Sequence, residues 1–218
     1  MNFESSHIQI RALLQKQRVF GTPGAALTWG IVDARKAAVA AGLDGERVTG
    51  ESLNQYATNR NGVYVFHSAE WPGATAGDTD HLILRGNQLL LIDAKRWKAK
   101  RKYSVTASGQ VLRGTVRFPE GKVKMLGALN SWRKILPKGT RLAGAVCIAQ
   151  KETFVPYDAN WYKAPFKLIT LETLHTFLDT TLKGKMGEPE LVLQSHIAAA
   201  ILPLLQKAKP GPKRINFS

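Results

Sequence analysis

The chain has 218 residues, 44% of them hydrophobic and 22% charged, which excludes a disordered polymer and leaves room for one sizeable core. Thirty-one Lys and Arg against sixteen Asp and Glu give a net charge of +15, so an anionic partner is expected. One cysteine, Cys147, excludes an internal disulfide or a cysteine-rich zinc site, the N-terminal M-N-F-E-S-S-H-I-Q is no secretory signal, and the longest nearly apolar stretch, 197–205, is too short for a bilayer; a cytoplasmic protein with no membrane partner is expected.

In chain order, residues 5–19 predict a helix that ends before the turn Gly21-Thr22-Pro23-Gly24. The alanine-rich run 31–41 predicts a second helix, broken at Gly42. A third, 44–57, carries Val48, Leu53 and Tyr56 on its apolar side, with Glu46 projecting from nearly the same face as Leu53. Strands follow at 63–67, 79–84 and 88–95, the last a continuous apolar run that suits a strand covered on both faces. A hairpin is expected from 103–106 and 111–116. Met125, Leu129, Trp132 and Leu136 repeat at helical spacing over 122–136. A buried strand at 142–149 would hold Cys147 as an inert thiol. A short strand at 166–169 leads to a helix with Thr170 as its N-cap. A last helix runs 190–207, kinked at Pro203, into the basic tail up to Arg214. The alternation of strands and helices predicts a mixed α/β domain.

The chemistry concentrates at one strand end. Asp93 and Lys95 share a face of the third strand, because strand side chains alternate. The turn at Gly86-Asn87 returns Asp80 of the neighbouring strand to a position opposite them, and Glu46 adds a third carboxylate from the preceding helix. Clustered carboxylates repel unless a cation joins them. Carboxylate oxygens, waters and a substrate phosphate together suit Mg²⁺ or Mn²⁺. Lys95 would then position the attacking water or offset charge on the phosphate. Asp78 shares a strand face with Asp80 and competes with it as a ligand. His81 points the other way, as a packed histidine.

The order helix Glu, strand Asp, strand Asp-x-Lys resembles the PD-(D/E)XK nuclease superfamily, and more narrowly the nuclease-related domain, NERD. The matching stretches are G-L-D-G-E-R-V-T-G-E-S-L (42–53), T-D-H-L-I-L (79–84) and L-L-L-I-D-A-K-R-W-K (89–98). The resemblance covers about 42–180 and implies a restriction-endonuclease-like mixed central sheet flanked by helices, with Glu46, Asp80 and Asp93 as metal-binding acids, Lys95 as the catalytic lysine and Trp97 as the aromatic that follows it. Two departures stand out: Ala99 replaces a frequent glycine, and residues 118–136 contain no glutamine, leaving Lys122 or Lys124 for that role.

Beyond Lys95 the chain reads R-W-K-A-K-R-K, and no acid appears before Glu120. Arg96, Lys98, Lys100, Arg101 and Lys102, with Trp97 to stack on a base, form the expected nucleic-acid surface. About six phosphate contacts would make log affinity fall with log salt at a slope near −5. The expected organisation is a helical N-terminal extension (1–41), a nuclease-like α/β domain (42–183) and a C-terminal helix with a basic tail (184–218). The expected function is Mg²⁺- or Mn²⁺-dependent cleavage of nucleic acid, DNA before RNA. The alternative is a nucleic-acid-binding module on the same fold without turnover.

Overall fold

The computed structural model of the protein describes residues 3–25, 36–73, 77–119, 124–150, 152–155, 163–183 and 186–206. Lys122, the helix start expected at 31 and the basic stretch 207–214 lie outside them. The elements are α1 (Phe3–Lys16), β1 (Val19–Phe20), α2 (Lys36–Thr58), β2 (Val63–Glu70), β3 (Asp78–Arg85), β4 (Gln88–Lys95), β5 (Tyr103–Val105), β6 (Val111–Arg113), β7 (Val116–Arg117), α3 (Met125–Arg133), β8 (Arg141–Ile148), β9 (Lys167–Thr170), α4 (Leu174–Thr181) and α5 (Glu188–Ile201).

Six strands form one mixed sheet in the order β1-β2-β3-β4-β8-β9. The pairs β2–β3 and β3–β4 are antiparallel, while β1–β2, β4–β8 and β8–β9 are parallel. Central strand β4 is apolar on both faces, as its continuous hydrophobic run requires. Leu89 and Leu91 join Leu82, Leu84, Val146, Trp132, Ile197 and Ile201 on one face. Leu90 and Ile92 join Val65, Ile83, Cys147, Leu53, Leu174 and Leu178 on the other. Helices α2 and α4 therefore cover one side, and α3 and α5 the other. This is the expected α/β architecture: a mixed sheet flanked by helices. Burial raises the Cys147 thiol pKa to about 12, so it is inert.

Several boundaries differ from the sequence expectation. Helix α2 runs unbroken through Gly42. One glycine costs a helix only about 1 kcal/mol, and packing of the amphipathic face outweighs it. Strand β9 extends through Thr170, and α4 starts after Thr173, whose Oγ1 accepts the Thr170 N–H at 3.0 Å. The expected hairpin is a three-stranded sheet, because Gly114 adopts a left-handed φ of 65° and turns the chain into β7. Helix α5 ends at Ile201 in a 3-10 turn at Leu202–Leu204 that contains Pro203.

The N-terminal residues hold more than a helix. β1 adds an edge strand to the main sheet, and Ser68 of β2 ties down the turn that follows. Ser68 Oγ donates to the Thr22 carbonyl at 2.9 Å and accepts the Ala25 N–H at 3.1 Å. The Ser68 carbonyl takes the Gln206 N–H at 2.8 Å, so the turn after β1 and the segment after α5 meet at this residue.

Candidate active site

The β3–β4 ladder ends at His81↔Ile92. Past that pair the strands part, and the Asp80 side chain enters the fork: its Oδ2 accepts the Ala94 N–H at 2.7 Å. The β2–β3 ladder is interrupted beside it. Register passes from His67↔His81 to Ala69↔Thr79, skipping Ser68, whose φ of 53° is left-handed. Lys95 Nζ lies 2.7 Å from Asp93 Oδ1 and 3.3 Å from the Ala94 carbonyl. Glu46, in the first half of α2, is buried, and the Gly24 main chain donates a hydrogen bond to its carboxyl.

Electrostatics join these groups into one cluster. The Glu46 pKa rises to about 7, through burial first, then Asp78 and Asp93, against the lowering pull of Lys95. Asp80 is held well above the usual carboxylate range by burial, then by Asp93 and Glu46. Asp78 is raised by burial and by Asp93. Burial works against the Lys95 ammonium, but Asp93 and Asp80 outweigh it and raise its pKa. Four carboxyls thus surround one lysine, a deficit of positive charge that keeps part of the set protonated.

That deficit is what a divalent cation removes. Glu46 Oε2 and Asp93 Oδ2 are buried and have no hydrogen-bond partner, so each is free to bind a cation. Among the described residues no group of three or more His, Cys, Asp or Glu side chains is drawn together closely enough to hold a metal ion by itself. Carboxylate oxygens are the donor type that a hard cation such as Mg²⁺ takes together with waters and a substrate phosphate, and not the nitrogen and sulfur set of a tetrahedral zinc site.

The surroundings add residues to those read from sequence. A narrow cleft beside Asp93 is lined by Trp71, Asp78, Lys124 and Met125. Lys124 precedes α3, and its charge lowers the Asp78 pKa. His81 is packed, as expected: its Nδ1 lies 2.8 Å from Nδ1 of His67, whose Nε2 pairs with Asn54 Oδ1 at 2.8 Å. Burial drives the His67 pKa down to about 4 and His81 well below normal, so both rings are neutral. Ser68 and Gly24, which flank the cluster, carry no sequence signal of that role. G-T-P-G reads only as a turn, and its partner strand is far along the chain.

The basic run divides. Arg96 is engaged, forming an ion pair with Asp44 and donating to Gln150 Oε1 at 3.2 Å. Lys100 pairs with Glu152 at 3.4 Å. Lys98, Arg101 and Lys102 are exposed and make no ion pair among the described residues. Trp97 requires a correction. It is only 9% exposed and packs between Tyr103 and Phe118, with ring centroids 5.0 and 5.2 Å away. Its face is covered by core aromatics and is not open to a base.

Residues 41–129, less than half of the chain, match the family model of the nuclease-related domain, NERD. No curated protein and no solved structure matches the chain. The match contains all four residues read as the site, Glu46, Asp80, Asp93 and Lys95, and stops short of the expected reach to about 180.

Proposed function

From the match of residues 41–129 to the nuclease-related domain, we propose a metal-dependent nuclease that hydrolyses phosphodiester bonds, in DNA before RNA. The observation that carries this reading is the crowding of Glu46, Asp78, Asp80 and Asp93 around the single ammonium of Lys95, with Glu46 Oε2 and Asp93 Oδ2 unpaired. Glu46, Asp80 and Asp93 would hold Mg²⁺ or Mn²⁺, which when bound supplies phosphoryl polarisation and a more acidic water. Asp93 Oδ1 holds the Lys95 ammonium through a 2.7 Å hydrogen bond. A fixed ammonium beside a phosphate under attack offsets the charge that grows there, at no cost of reorganisation. Asp80, anchored on the Ala94 N–H, keeps its second oxygen for the cation. Lys124, across the cleft, suits a neighbouring phosphate of the same strand.

End-labelled single-stranded and duplex DNA and RNA, with Mg²⁺, Mn²⁺ or EDTA, test the reading. The wild type should cleave at least one of them only with metal. Asp80→Asn and Asp93→Asn should each lower the rate by about 10² to 10⁴. The second reading, a binding module without turnover, draws on the lack, among the described residues, of three or more acids or histidines grouped to hold a metal ion. Binding in EDTA with no cleavage in either metal would select it.

A further inference from the structure

One face of the small sheet β5–β6–β7 packs on the core through β5 and the start of β6, and the other carries the half-exposed Ser104 and Leu112. Tyr103, Val105 and Val111 point into the core. Alternation therefore turns Lys102, Ser104 and Leu112 outward, and the pair Leu112↔Arg117 places Arg117 with them. Phe154 extends this face. It bridges Lys102 in parallel: the Tyr103 N–H donates to the Phe154 carbonyl at 3.0 Å, and the Phe154 N–H to the Arg101 carbonyl at 3.2 Å. Bridged residues share a face, so the Phe154 ring stands beside Lys102, and it is 61% exposed.

One exposed ring is ordinary on a protein surface. This ring is set among basic residues, and the nearby acid Glu152 is paired with Lys100 at 3.4 Å. Arg101, Lys102 and Arg117 are exposed and make no ion pair among the described residues, and residues 96–119 contain no acid. A flat apolar face beside free cations matches the two parts of a nucleotide, its base and its phosphate. The base must be unpaired, because in a duplex both its faces are stacked on neighbours. The same role cannot fall to Trp97, whose ring is enclosed.

We propose that the open face of β5–β6–β7 binds an unpaired nucleic-acid strand, with Phe154 stacking on a base and Lys102 and Arg117 contacting phosphates. The proposal rests on the nucleic-acid reading above but on no step of cleavage.

Fluorescence anisotropy of the full chain in EDTA tests it, with three probes of about twelve nucleotides: oligothymidylate, a duplex, and a strand of abasic sites. Phe154→Ala and Phe154→Leu should weaken oligothymidylate binding about tenfold and leave the abasic strand unchanged, and Phe154→Trp should restore the loss. Lys102→Ala should instead reduce the slope of log affinity against log salt by about 0.7. Thermal melts confirm that each variant is folded, and the Leu variant keeps an apolar side chain where Ala does not. Unchanged affinity in both Phe154 variants would overturn the proposal. An equal loss on the abasic strand, or wild-type binding confined to the duplex, would do the same. Since all binding is read without metal, a failure of cleavage sinks the nuclease reading alone, and a failure of stacking sinks only this one.

Discussion

At Glu46 the burial that seats a carboxyl against the sheet end also changes how it titrates. Its folded pKa is about 7, against 4.5 for an unperturbed glutamate, so the folded chain holds a proton that the unfolded chain has released. Stability from this group is therefore present below about pH 4.5 and is lost as pH rises to about 7. Glu46→Gln lacks this dependence. In EDTA, urea titrations should show the variant gaining on the wild type by up to about 3 kcal/mol between those pH values. A constant difference across that range would mean that Glu46 is not held in this environment. The acid residues of the cluster are the most legible part of the sequence, because strand alternation and one tight turn bring Asp80, Asp93 and Lys95 to the same end. Trp97 reads wrongly for a physical reason. An aromatic in a basic run looks solvent-facing, and its burial depends on Tyr103 and Phe118, which only the folded small sheet brings to it.

At the scale of elements, α2 and the turn after β1 are fitted to each other. A Cβ at Gly50 would stand 2.5 Å from Cγ of Pro23 and 2.9 Å from its Cβ. In an open helix Gly→Ala gains about 0.5–1 kcal/mol. Here overpacking of about 1–3 kcal/mol opposes that gain and exceeds it, because a proline ring on a tied-down turn has no rotamer to yield. Gly50→Ala should destabilise the protein by about 1 kcal/mol in urea unfolding and slow cleavage by moving Gly24 relative to Glu46. A variant more stable than wild type would show that the turn is free to move. The order and type of most elements follow from periodicity alone: β2, β3, β4, α3 and β8 sit where their hydrophobic patterns put them. The misses are at chain punctuation. Gly42 and Thr170 carry local stop and start signals that packing against the sheet overrides, and the two residues of β1 are too short to carry a pattern.

Over the whole molecule, α1 and α5 are tied to each other, and the segment after α5 is tied to β2. Arg11 of α1 pairs with Glu188 of α5 at 2.8 Å, and Leu205 bridges Ala69. Among the described residues no helix is long and apolar enough to cross a membrane. The chain carries a net charge of +15, and exposed basic residues lie past β4, on the small sheet and at Lys124 across the cleft. The proposed nuclease would separate binding from chemistry, with the basic residues attracting any phosphate backbone and Lys95 acting at one bond. Single-turnover cleavage of an end-labelled strand in Mg²⁺ by wild type and Lys95→Ala, alongside Mn²⁺ binding by both, tests that division most directly. Wild type should cleave only with metal, the variant should lose about 10² to 10⁴ in rate, and both proteins should bind Mn²⁺. Cleavage at equal rates, or a wild type that binds nucleic acid and cuts nothing in either metal, would contradict this reading.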